Sequence, residues 1–188
     1  MSNRGIIPKI FHKAEGGLLG ECIMCNQNLL APPQDYLLEK AFRIYPEYKK
    51  TEVIFEYAMC LTCAHAMHNE LSEESRQRIE AYFAERLQLS SRDELLKPKR
   101  ASFKNWVGNC LVKGTSLKQS NEYVLYGHAH GRQLVYDFFP YALSGEAMEE
   151  ISELLSEKTR EVLDDFIGKH FSGPPEIAEI LKRRPVLI

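Results

Sequence analysis

The chain has 188 residues, 44% of them hydrophobic and 27% charged, enough for one sizeable core or two small ones packed together. A net charge of -2 gives no global reason to expect a polyanion as partner. No apolar run approaches the roughly 18 residues of a membrane span, and MSNRGIIPKIFHKAEGG lacks the pattern of a secretory signal, so the expected compartment is the cytoplasm. In that reducing environment, five cysteines of which four form two CxxC pairs point to a metal first and redox chemistry second.

In chain order, IPKIFHK is apolar on alternate positions and suits a strand. Gly16, Gly17 and Gly20 give a pliable approach to ECIMC, the first cysteine pair. After a Pro-Pro loop, YLLEKAFRIYPEY fits strand or helix, whereas TEVIFEYAM alternates as a strand and runs into Cys60. Helix formers follow from Leu61, with Ala64, Met67, His68 and Leu71 at helical spacing. Ser72, with Glu73 and Glu74 after it, predicts the cap of a second helix through Ile79, Tyr82, Phe83 and Leu87. LSSRDELLKPKR reads as a linker.

Beyond it, FKNWVGNCLVKG, NEYVLYGHAHG and RQLVYDFFPYAL carry the aromatic and β-branched residues of a small antiparallel sheet, with Gly127 and Gly131 bracketing a turn. Ser144 caps a long helix from Glu146 with one broad apolar stripe, and Glu176 to Arg183 predicts a short final helix after Pro174 and Pro175. Lys97 to Lys118 holds six basic residues and no acid, while Asp137 to Asp165 holds nine acids, so the two segments face each other or are separately solvated. The expected class is α+β, with residues 1–96 forming a zinc-binding region with an amphipathic helix and 97–188 a sheet packed by the long helix. Whether the two share one core is left open.

Two residues between cysteines let a tight turn aim both sulfurs at one point, and two such pairs supply the four thiolates of a tetrahedral Zn2+ site. Cys22 and Cys25 lie in a Gly-flanked turn; Cys60 and Cys63 lie where a strand gives way to a helix, whose free amides favour thiolate. Buried structural thiols or a redox couple are the alternatives, though a thioredoxin-type CxxC follows a strand and opens a helix within a βαβ pattern, which CLTC meets only in part and CIMC not at all. A turn, strands and a pair on a first helical turn resemble the treble-clef group of zinc domains over roughly Phe11 to Leu71. The resemblance implies that Cys22, Cys25, Cys60 and Cys63 hold one structural zinc. It implies no activity, since that scaffold serves binding modules and nucleases alike.

His65 and His68 share a helix face and could supply a ligand, but four cysteines already complete a set. His128 and His130, in GHAHGR, would share a face of an extended chain with Arg132 and could bind a metal or an anion, or move protons. No phosphate-cradling glycine loop, nucleophile elbow or HExxH helix is present. The chain therefore reads as a non-enzymatic zinc protein that binds a macromolecule, most simply a protein. The alternatives are a histidine-dependent hydrolase or nuclease, and single-stranded nucleic acid held by Lys97, Lys99, Arg100, Lys104 and Trp106.

Overall fold

The computed structural model describes residues 3–87, 89–96 and 102–171. The elements are β1 (Asn3–Ile6), β2 (Asp35–Tyr45), β3 (Lys50–Cys60), α1 (Leu61–Glu70), α2 (Glu73–Arg86), α3 (Leu89–Leu95), α4 (Phe103–Val107), β4 (Glu122–His130), β5 (Gln133–Tyr136), β6 (Tyr141–Ser144), α5 (Gly145–Glu153) and α6 (Glu157–His170). The class is α+β, as expected. All strands join one antiparallel sheet, ordered β1-β5-β4-β2-β3, with β6 sharing the edge of β4 that β5 also uses. The sheet is therefore wider than the second half of the sequence: β2 pairs with β3 from Tyr36 to Tyr45 and with β4 from Asp35 to Arg43.

Position in that sheet explains why YLLEKAFRIYPEY was ambiguous. A strand paired on both edges and covered on both faces buries side chains of both parities, so alternation is lost. On one face Tyr36, Leu38 and Lys40 lie under the N-terminal segment, whose Phe11 ring would stand 3.0 Å from a Cβ added at Gly127. Gly127 is thus a mid-strand residue of β4 whose missing side chain makes room for Phe11, not the edge of a turn; only Gly131, at φ +55, is in the turn. On the other face Tyr57 meets Phe166 of α6 edge to face at 5.9 Å, and the Tyr126 hydroxyl donates to Met148 Sδ of α5 at 3.6 Å.

A buried polar row crosses that helix-covered face. Glu39 on β2 is the cross-strand partner of Tyr57 and of Tyr126, and Tyr126 is the partner of Tyr141. Tyr57 donates to Glu39 Oε2, while Oε1 is buried with no hydrogen-bond partner. Burial pushes the Glu39 carboxyl up to about 8, against the lowering effect of the Tyr57 and Tyr126 hydroxyls. Its chain neighbour Lys40 faces the opposite way and ion-pairs with Glu56 at 2.7 Å.

Four segments differ from the sequence expectation. IPKIFHK lies past β1, which ends at Ile6, and turns as a short 3-10 helix at Lys9–Phe11, which buries Phe11. FKNWV is a short helix, because Trp106 and Val107 bury by turning inward, with Arg92 of α3 stacked 4.7 Å from the Trp106 ring. Arg92 also places α3 where a linker was expected: it is buried and donates to the carbonyls of Phe138 and Pro140 at 2.5 Å each. The long helix is two, α5 and α6, since Ser156 caps a new start by accepting from the Thr159 amide. Ser72 caps α2 likewise, and the two caps interlock: Ser72 N donates to Thr159 Oγ1 at 2.9 Å and Ser156 N to Ser75 Oγ at 2.8 Å. The basic and acidic segments meet where Lys113 pairs with Glu146, at 3.2 Å, and with Glu150. The expected final helix lies outside the described residues.

Candidate metal centre

The turn that carries the first cysteine pair is closed by backbone hydrogen bonds. Leu29 N donates to Gly20 O at 2.8 Å, Cys22 N to Gln27 O at 3.0 Å, and Asn26 N returns to Cys22 O at 2.9 Å. Asn26 closes this turn at φ 59, a left-handed conformation that asparagine tolerates better than most residues. The turn is docked on the end of β3 by Ile23 N donating to Ala58 O at 2.9 Å. The second pair straddles the junction of β3 and α1. Cys60 is the N-cap, its sulfur accepting from the Cys63 amide at 3.4 Å, and the Cys60 amide in turn donates to Cys22 Sγ at 3.4 Å.

The four sulfurs of Cys22, Cys25, Cys60 and Cys63 all lie within 4.8 Å of one another, with Cys25 Sγ and Cys60 Sγ at 3.9 Å. Tetrahedral Zn–S bonds of about 2.3 Å place neighbouring sulfurs about 3.8 Å apart. All five cysteines are free thiols rather than disulfides. The spacing fits one small ion at the centre of the quartet. Cys22 and Cys60 are buried, Cys63 is half-buried and Cys25 is exposed. Among the described residues this is the only group of three or more such side chains close enough to share an ion, and it contains no histidine.

The electrostatics separate the four. Burial works against a Cys22 thiolate, but the amides of Cys60, Cys25 and Met24 outweigh it and bring the thiol down to about 7. Cys63 is pushed the other way by burial and by the crowding sulfurs of Cys60, Cys25 and Cys22, and Cys60 also rises, chiefly through burial. Four sulfurs this close cannot all ionise on their own. A divalent cation removes the conflict, because coordination deprotonates thiols outright.

Of the other sequence candidates, His65 is exposed on α1, and His68 borders a cleft of about 710 Å3 between α2, α6 and the 138–141 segment. That cleft is floored by Phe83, Phe138 and Phe139, and Arg76 lines it with a buried Nε that has no hydrogen-bond partner. Trp106 is 2% exposed, so its ring faces the core, whereas Lys97, Lys99 and Arg100 lie outside the described residues. Cys110 is buried and its sulfur accepts from Ser144 N and Oγ at 3.3 and 3.4 Å. His128 and His130 lie in the last three residues of β4, where His130 pairs with Gln133 of β5 at the tip of the hairpin, and Arg132 lies in the connecting turn. The carboxylates beside these histidines, Asp35 and Asp137, escaped sequence reasoning, since Asp35 is 93 positions from His128. No family model matches the chain, and neither a curated protein nor a solved structure matches it. Among the described residues no helix is long and apolar enough to cross a membrane.

Proposed function

We propose that the chain is a non-enzymatic binding module whose N-terminal region is stapled by one structural Zn2+ on Cys22, Cys25, Cys60 and Cys63, in the manner of a treble clef and in the reducing cytoplasm. The observation that carries this reading is the convergence of four sulfurs within 4.8 Å. The order of parts supports it: a tight turn, the β2–β3 hairpin, then a helix N-terminus bearing the last pair. Four thiolates fill a tetrahedral ion and leave no position for water, so the metal holds structure and activates nothing. Protein purified without added metal should carry about one zinc per chain. Replacing Cys60 and Cys63 by Ser should remove both the zinc and the cooperative melt. A metal-free protein that still melts cooperatively would overturn the reading.

The partner on this reading is a protein, and the cleft beside α2 is where it docks. Apolar side chains of the partner would cover Phe83 and Phe139, and a carboxylate would meet the guanidinium of Arg76 where it lines the cleft. A photoreactive residue replacing Glu80, at the rim of the cleft, should cross-link to a protein in cells, and Arg76→Glu should abolish the adduct. Cross-linking that is indifferent to Arg76→Glu removes the cleft from the proposal.

A further inference from the structure

The face of the sheet that carries Tyr36 and Leu38 ends, at the far end of β2 from the cysteine corner, in a pocket of about 710 Å3. Its floor is Ile44 of β2 with Tyr123 and Leu125 of β4. The β2–β4 register sets Tyr123 across from Phe42, and the two rings stack at 4.9 Å, which fixes the floor. Val107, at the end of α4, and Leu117 give the apolar wall. The rim is a loop closed on itself: Cys110 N donates to Thr115 O at 2.8 Å and Leu117 N to Gly108 O at 3.1 Å, while Leu111 N ties the loop to β6 through Ala142 O at 2.8 Å. The hollow is thus shaped by the fold before any ligand arrives.

The charged side chains around it carry one sign. Lys104 of α4 and Lys118 line the pocket beside Asn109 and Ser116, and among the described residues no carboxylate does. Both lysines are exposed, and neither forms an ion pair among the described residues. Lys113, from the same acid-free run of sequence, is the contrast: it turns to α5 and pairs with Glu146 and Glu150. The basic run therefore divides, one lysine neutralised within the protein and two left beside an apolar hollow. A neutral apolar ligand would gain nothing from the lysines, and a bare inorganic anion would gain nothing from the floor. A molecule with both parts uses both.

We infer that this pocket binds a small organic anion, its carboxylate, sulfonate or phosphate head met by Lys104 and Lys118 and its apolar body laid on Ile44, Tyr123 and Leu125. The volume falls within the roughly 300–1,000 Å3 of small-ligand sites. The site is independent of the cysteine corner, and it shares no lining residue with the cleft beside α2.

The probe is naphthoate, an anion with a flat apolar body, titrated into the full chain by calorimetry and by amide NMR on isotope-labelled protein. The amides of Gly108, Asn109 and Ser116 should shift together as one equivalent binds. Lys104→Glu combined with Lys118→Glu, both on exposed side chains, should weaken binding by about 10-fold or more and leave the melt as it was. Neutral naphthamide and inorganic phosphate should each bind about 10-fold more weakly than naphthoate, and raising the salt from about 50 to about 500 mM should weaken naphthoate by screening the lysines. No binding at about 1 mM, binding that the double variant leaves intact, phosphate bound as tightly as naphthoate, or shifts gathered instead around Phe83 in the cleft beside α2 overturns the inference.

Discussion

The four-cysteine corner and the row Tyr57–Glu39–Tyr126–Tyr141 both take ionisable side chains out of water, and they are neutralised by opposite means. At the corner, sulfurs crowd within 4.8 Å and work against one another's ionisation, so full ionisation calls for an ion from outside. In the row, one carboxyl is fully buried among hydroxyls, and holding its own proton suffices. The difference teaches that burial alone does not mark a ligand site. A cluster of like groups whose charges conflict calls for a counter-ion, and a single acid among donors does not.

Cys22→Ala strikes the comparison hardest. On the proposed zinc reading it removes one of four ligands along with the sulfur that accepts the Cys60 amide, and it should cost most of the stability that metal would confer, which is about 10–16 kcal/mol in isolated zinc fingers; chelator-dependent melting measures it. Glu39→Gln should act with the opposite sign at high pH. The folded Glu39 binds its proton up to about 8 while the unfolded residue releases it near 4.5, so its contribution is whole below that lower value and is lost as pH rises through about 8. The parent's unfolding free energy should therefore fall by at most about 1.4 kcal/mol per pH unit across that window. The Gln variant should flatten the slope and be the more stable protein at pH 9, as denaturant titrations at several pH values would read. Tyr57→Phe leaves Glu39 Oε2 without its donor and should cost about 1–3 kcal/mol near pH 6. Ser156→Ala, in the neutral hydroxyl junction of α2 and α6, should cost only about 1 kcal/mol, with no dependence on pH or chelator.

What was legible in the residues follows the range of the interaction that carries it. The CxxC spacing is local, and the four cysteines it groups do lie together. The caps at Ser72 and Ser144 are local and were read from their own few residues. The break at Ser156 was missed because Leu155 and Val162 continue the apolar stripe across it, while the cap is reinforced from Ser72 and Ser75, more than eighty positions away. Glu39, in LLEKAF, carries no mark of burial, since its partners Tyr57 and Tyr126 are set by strand order. The pair His128 and His130 was visible, but its acids were not, because only the β2–β4 register delivers Asp35.

That register bears on how the chain reaches its fold. Tyr36 pairs with Cys60 and Ala129, and the residue before it, Asp35, pairs with His130, so the first two positions of β2 serve opposite faces. A slip of one residue would turn Asp35 away from the histidines and shift the hairpin that delivers Cys60 against its turn. Misaligned chains would then lose the convergence of the four sulfurs, so the threading of the sheet and the integrity of the cysteine corner stand or fall together.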